Sequence, residues 1–214
     1  DLVYLSKNIN EIKPDIIIVL GDRYEMLLGP IIAMPFNIPV IHFYGGSVTE
    51  GAIDELIRHA ITKMSHVHFV ALNKYKKRLV QLGEERWRIK RVGIHELQYI
   101  KSLKLVNKRE LSKELKFNFM KPYCLLTFHP VTIELHKLTN QLKSLAQAVK
   151  SCKINAVITY PNADYKNSKV ISFIKKKFKD KKKFKIIKNC GLKNYINIMK
   201  NSQFMIGNSS SGIV

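Results

Sequence analysis

Cysteine is scarce and poorly placed for bridging. Cys124, Cys152 and Cys190 are odd in number, widely spaced and free of any C-x-x-C pattern. Neither a disulfide framework nor a zinc site is expected, and the three read as buried thiols. No run of roughly eighteen apolar residues occurs, and residues 1–20 lack the charged start, apolar middle and small-residue cleavage site of a secretory leader. A cytoplasmic protein without a membrane partner is therefore expected. Gly-rich phosphate fingerprints of the G-x-G-x-x-G or G-x-x-x-x-G-K-[ST] kind are absent, which argues against a dinucleotide oxidoreductase or a P-loop nucleotidase. No internal repeat of solenoid length is present.

Acidic residues are also few: 16 Asp and Glu face 37 Lys and Arg, a formal net charge of +21. A nucleic-acid partner would suit such a charge, since lysine-rich faces bind phosphate backbones by releasing counterions. Much of the excess, however, lies in "KNSKVISFIKKKFKDKKKFKIIK" (166–188), where eleven lysines meet only Asp180. Val170, Ile171, Ile174 and Phe178 keep helical spacing there, so most of these lysines read as the solvated side of an amphipathic helix. No nucleic-acid partner is expected; an anionic nucleotide ligand fits the charge equally well.

What is present is a globular composition, 46% hydrophobic and 25% charged. "PDIIIVLGD" (14–22) is a short apolar run bounded by Pro14 and Gly21, as for a strand buried on both faces. A helix carrying Pro30 follows, then strand "IPVIHFYGG" (38–46), a helix over 53–65 with Ile53, Leu56, Ile57, Ala60, Ile61 and Met64 on its apolar side, strand "HVHFVAL" (66–72), helix "NKYKKRLVQLG" and strand "WRIKRVGI". Residues 98–121 break the rhythm and read as a linker with a short helix. Strands at 123–130, 155–161, 184–189 and 203–208 then alternate with helices at 135–152, 167–179 and 192–200. This alternation predicts α/β architecture, two successive parallel-sheet units with helices on both faces. The chain opens on Asp1 without methionine and stops at Val214 just after a glycine-serine turn, so it is expected to be incomplete at both ends.

Asp22, Tyr44, His129, Asn162 and Asn208 fall at or just beyond the carboxyl ends of predicted strands, where open parallel sheets bind ligands. Asp22 either caps the helix that begins at Arg23 or presents a carboxylate at the sheet edge. Gly45, Gly46 and Gly51 let the backbone turn before Asp54 and Glu55, which lie in a first helical turn where the dipole favours negative charge. Arg58, three and four residues on, can lock one of these carboxylates while the other faces a ligand. His59 points elsewhere on the helix, and His59, His66 and His68 read as structural. His129 suits a phosphate or proton-transfer partner. "GNSSSG" (207–212) places amide and hydroxyl groups where backbone N–H groups can grip a diphosphate.

The pieces "GDRYEML", "NIPVIHFYGGSVTEGAIDELIRHAITKMSHVHF", "TFHPVT", "YPNAD" and "MIGNSSSG", in that order over nearly the whole chain, resemble the hydrolysing UDP-N-acetylglucosamine 2-epimerases, in particular their sialic- and legionaminic-acid branch. The resemblance implies a glycosyltransferase-B-like pair of partial Rossmann-type domains, an N-terminal one over 1–118 with the linker and a C-terminal nucleotide-binding one over 119–214, and a nucleotide sugar as the substrate. It implies elimination of the nucleoside diphosphate, hydration of the resulting glycal with inversion at C2, and no metal or redox cofactor. Asp22 and Glu55 match the family's acid/base carboxylates, with Asp54 and Arg58 beside them. His129 matches the histidine close to the diphosphate, and Ser209 and Ser210 the serines that hold it; Arg23, Tyr44, Asn162 and Asn208 complete the expected substrate-binding set. Many members have an acid at the position of Tyr44 and another at that of Ser47, where this chain reads "HFYGGSVTEG"; Glu50 is the one replacement that the loop offers. A glycosyltransferase of the same architecture, or a non-catalytic nucleotide-sugar or nucleic-acid-binding module, is the alternative reading, and a homodimer is an expected assembly.

Overall fold

A computed structural model describes residues 2–50, 52–131 and 133–212. Gly51, expected to free the backbone ahead of Asp54, lies outside the described residues. The chain forms two compact units, Asp1–Leu97 and Gln98–Val214, each a Rossmann-like parallel α/β sheet. In the first, α1 (Leu2–Ile12), β1 (Ile17–Leu20), α2 (Tyr24–Ala33), β2 (Val40–Phe43), α3 (Asp54–Lys63), β3 (Val67–Val70), α4 (Asn73–Gln81) and β4 (Ile89–Arg91) alternate, and α5 (His95–Ser102) spans the division. The sheet order is β1-β2-β3-β4, all parallel, with Leu20 beside Phe43 and Phe43 beside Phe69. The second unit holds α6 (Lys108–Leu115), β5 (Tyr123–Thr127), α7 (Leu138–Ser151), β6 (Asn155–Thr159), α8 (Asn167–Lys177), β7 (Phe184–Ile187), α9 (Gly191–Asn201) and β8 (Met205–Gly207), in sheet order β7-β6-β5-β8, again parallel.

Strand β5 is buried at all five positions. Successive side chains point to opposite faces. Cys124 and Leu126 accordingly join Leu138 and Leu142 of α7 and Val170 and Ile174 of α8, whereas Tyr123 and Leu125 join Leu111, Phe117, Phe119 and Ile198. Each such fully buried Leu or Ile contributes about 1.5–3 kcal/mol. The Tyr123 hydroxyl donates to the Ile198 carbonyl at 2.7 Å, so its polar end is satisfied inside this core.

Two expectations change. Strand β1 is not buried on both faces: Val19 is packed, but Ile18 is 63% exposed, and β1 stands at one end of the sheet order. Residues 98–121, expected as a linker with a short helix, group with the second unit. Leu111 and Phe117 pack into its core, and the Val106 N–H donates to Asn197 Oδ1 at 3.1 Å, in keeping with a division of the compact units between Leu97 and Gln98. The basic helix behaves as its spacing predicts: Val170, Ile174 and Phe178 are buried while Lys175, Lys176 and Lys177 are exposed. Among the described residues, no helix is long and apolar enough to cross a membrane.

Candidate functional site

The inward face of α3 is polar. Arg58 and Thr62, one turn apart, are fully buried with Ile61, whereas Leu56, expected on the apolar side, is 75% exposed. This helix is turned by its polar partners. Arg58 Nε donates to Asp22 Oδ2 at 2.9 Å, and Nη2 donates to the same carboxylate and to Thr49 Oγ1 at 2.6 Å. Its Nη1 donates to the Ser47 carbonyl at 2.8 Å and to Glu55. One guanidinium thus gathers the end of β1, the loop after β2 and the first turn of α3, using the forked donor geometry that only Arg offers.

Asp22 is therefore a partner of Arg58, and no side chain caps α2. Glu55 also accepts the Thr49 N–H at 2.8 Å and meets His59 Nε2 at 3.2 Å, so His59, expected to point elsewhere, belongs to the cluster. Partial burial works to raise the Glu55 carboxyl, but the Thr49 amide and the Arg58 guanidinium outweigh it and hold Glu55 below the usual range. Asp54 lies in the same first turn, favourably placed for the helix dipole. Arg23, next to Asp22 in sequence, pairs with Glu25 at 3.5 Å and stacks over Tyr24.

The turn leaving β2 is closed tightly. Gly46 adopts φ +78°, and a Cβ there would lie 2.6 Å from the Tyr75 carbonyl oxygen. Beneath it His42 is fully buried: its Nε2–H donates to the Gly21 carbonyl at 2.9 Å and its Nδ1 accepts from the Thr62 hydroxyl at 3.2 Å. Burial drives the imidazole down from 6.5 to about 4, partly offset by the Gly21 carbonyl, so it is neutral when folded. Because the unfolded chain binds this proton more readily, stability is full above the unfolded value and falls as pH drops from 6.5 towards 4. The expected loss is about 3 kcal/mol, seen in urea midpoints at pH 7 and pH 4 and missing from His42→Gln. His68, buried against Glu84 and also lowered by burial, adds to the same trend.

Tyr44 follows β2 with a left-handed backbone, φ 69°. Its hydroxyl meets His95 Nδ1 at 2.5 Å, accepts the His95 N–H at 3.2 Å and donates to the Glu96 carboxylate. Neither His95 nor Glu96 is among the expected site residues. The signal that finds them is the rule applied elsewhere, polar side chains just past the carboxyl end of a strand, here β4. Glu50 is exposed.

In the second unit, a cavity of about 340 Å³ opens at the carboxyl ends of its strands, lined among others by Thr127, His129, Asn162, Tyr195, Ser209 and Ser211. The Asn162 N–H donates to His129 Nδ1 at 3.1 Å, which places the proton of a neutral ring on Nε2. Asn208, expected to touch substrate, spends both ends of its amide on the His129 backbone: Oδ1 accepts the N–H at 2.8 Å and Nδ2 donates to the carbonyl at 2.9 Å. It positions His129. Ser209 and Ser211 hydroxyls lie 2.8 Å apart and Ser211 meets Tyr195 at 2.6 Å, whereas Ser210 is exposed off the cavity, because the 3-10 turn Ser210–Gly212 brings residue 211 back beside residue 209. The first turn of α9 borders the same cavity through Gly191 and Leu192 and supplies the positive end of a helix dipole. The structure thus assembles Asp22, Glu55 and Arg58 in one unit, and His129, Asn162, Asn208 and Ser209 in the other.

Residues 2–214 match the family model for UDP-N-acetylglucosamine 2-epimerase. The chain is 40% identical over 211 residues to the GDP/UDP-N,N'-diacetylbacillosamine 2-epimerase (hydrolyzing) of Campylobacter jejuni, covering 97% of this chain and 55% of that protein. It is 38% identical over 203 residues to polysialic acid biosynthesis protein P7 of Escherichia coli, covering 94% of this chain and 51% of that protein. Its fold matches the crystal structure of a UDP-GlcNAc 2-epimerase from Neisseria meningitidis bound to UDP-GlcNAc, with a TM-score of 0.76 at 18% identity over 99% of this chain and 59% of the other. The chain spans about half the length of the curated relatives it matches.

Proposed function

We propose that this chain, which belongs to the UDP-N-acetylglucosamine 2-epimerase family, acts as a hydrolysing 2-epimerase on a nucleotide-activated N-acetyl-hexosamine, UDP-GlcNAc or a diacetamido analogue. The observation that carries the reading is the pairing of Asp22 and Glu55 on the buried Arg58 at the carboxyl edge of a parallel sheet. With the Thr49 amide and the Arg58 guanidinium holding its pKa below the usual range, Glu55 is an ionised carboxylate at neutral pH, the form that can accept a proton from C2 as the C1–oxygen bond breaks and the nucleoside diphosphate leaves. Asp54 adjoins this pair, and Arg23 and Tyr44 are substrate-contact candidates. His129, Asn162, Ser209 and Ser211 are the groups proposed to face the diphosphate, with the α9 N-terminus as the electrostatic partner of the leaving anion. The hydrated product is a ManNAc-type sugar for nonulosonic acid synthesis, a placement supported by the name of the Escherichia relative, polysialic acid biosynthesis protein P7.

The test is release of UDP together with a 2-epimerised N-acetyl sugar. The double variant Asp22→Asn, Glu55→Gln keeps the shape of both side chains and is expected to lose about 10²–10⁴-fold in turnover, with circular dichroism confirming that it is folded. Unchanged turnover would remove these two residues from the mechanism. A product that forms only when an acceptor sugar is added would instead make the protein a glycosyltransferase.

A further inference from the structure

Tyr44 occupies a conformation that a bulky side chain adopts only under compulsion. A positive φ outside glycine is uncommon and costs free energy that its surroundings must repay. The repayment is visible at both ends of the residue. Its N–H donates to the Phe69 carbonyl at 2.8 Å, and its hydroxyl carries three polar partners on the first turn of α5: the His95 amide, His95 Nδ1 and the Glu96 carboxylate. The Tyr44 and His95 rings stack with centroids 5.3 Å apart and 14° between planes, and Phe43 sets its edge against both. The cluster is fixed, yet it is not sealed: the His95 and Glu96 side chains are 48% and 38% exposed. It also shares the edge of the carboxylate pair, because Leu20 and Phe43 are register partners and Asp22 and Tyr44 leave neighbouring strands.

The reaction proposed above needs two proton transfers at C2, one away from one face of the sugar and one onto the opposite face. Asp22 and Glu55, both committed to the Arg58 cation, suit removal of a proton; the return of one calls for a group that carries a proton at neutral pH. The Tyr44 phenol is such a group. Burial and the neighbouring Glu96 charge push it up to about 12, so it is protonated at rest. When its proton leaves, the oxygen already lies on the His95 amide at the N-terminus of α5, a donor and a dipole aimed at the developing charge.

Resting on the epimerase reading, we propose that Tyr44 is the second proton-transfer group of this site and that His95 and Glu96 are its positioning and reloading residues. In the hydration step the phenol O–H breaks and its proton forms the new C2–H bond with the π pair of the glycal. The oxygen of a water bonds to C1, and that water gives one of its two protons to solvent and keeps the other as the C1 hydroxyl. The phenolate is reprotonated by solvent protons relayed over His95 and Glu96. The C2 proton taken in the elimination step leaves its carboxylate for solvent, so the cycle releases one proton net, matching the diphosphate anion that departs.

Tyr44→Phe keeps the ring and its stacking and removes only the hydroxyl. With UDP-N-acetylglucosamine or UDP-N,N'-diacetylbacillosamine as probe, NMR should show UDP release outrunning formation of the epimerised sugar by about 10²-fold or more, the glycal accumulating in its place. Glu96→Gln, which keeps the hydrogen-bonding shape, should show the same split to a lesser degree and stands in if Tyr44→Phe does not fold. Sugar and UDP appearing in step in the folded variants, at whatever rate, overturn the role of Tyr44. Failure of the unsubstituted protein to release UDP from either probe overturns the epimerase reading itself, a result the variants cannot mimic.

Discussion

Replacing Arg58 with Met is expected to abolish turnover and to lower the unfolding free energy by about 3 kcal/mol, the low end of the range for breaking a buried ion pair. The magnitude follows from where water can reach. Arg58 is fully buried, but Asp22 and Glu55 retain 29% and 28% of their side-chain exposure, so each carboxylate left behind is partly hydrated. Loss of the four acceptor contacts, to Asp22, Glu55, Ser47 and Thr49, then weighs as much as loss of charge. Arg58→Lys separates the two effects. It restores a cation that cannot span those acceptors, so part of the stability should return while turnover does not. Urea midpoints and UDP release measured on both variants check this, and a Lys variant with ordinary turnover would remove the fork geometry from the explanation.

The second large effect is expected at Gly207. Its φ of +137° lies outside the range comfortable for other residues, and an added Cβ would stand 1.8 Å from the Thr127 carbonyl oxygen and 2.7 Å from its carbon. The obstacle is main chain, and Thr127 is the register partner of Gly207 in the β5–β8 ladder, so no rotamer change relieves it. Gly207→Ala should cost about 4 kcal/mol or more by forcing β8 off β5. The Asn208 bridge to His129 and the placement of Ser209 would go with it, so affinity for UDP should fall in parallel with the urea midpoint. An unaltered midpoint would mean that the ladder ends before this residue.

The central strands of the second unit were legible because β5 and β6 carry the consecutive apolar residues Tyr123–Leu126 and Ala156–Ile158, and burial on both faces is what such runs specify. Asp22, Tyr44 and His129 were legible for a topological reason, standing where parallel strands end. The inward face of α3 was not. Arg58 and Thr62 are buried because of Asp22 and His42, residues 36 and 20 positions away, and helical periodicity alone favours Leu56 for that face. His95 and Glu96 were hidden by their place at the start of an irregular basic stretch. Ser211 was hidden by a single turn of 3-10 helix, whose tighter winding alters which of three consecutive serines faces the cavity.

The clamp between Asn208 and His129 joins residues 79 apart, and the ladder beside it is equally remote in sequence. A ribosome elongating at about 5–20 residues per second needs roughly 4–16 s to make that interval. Throughout it β5, the most apolar strand of its sheet, carries an unpaired edge on the side that β8 will occupy, an invitation to a second nascent chain. The strand order thus sets an interval in which nascent chains can pair through this edge.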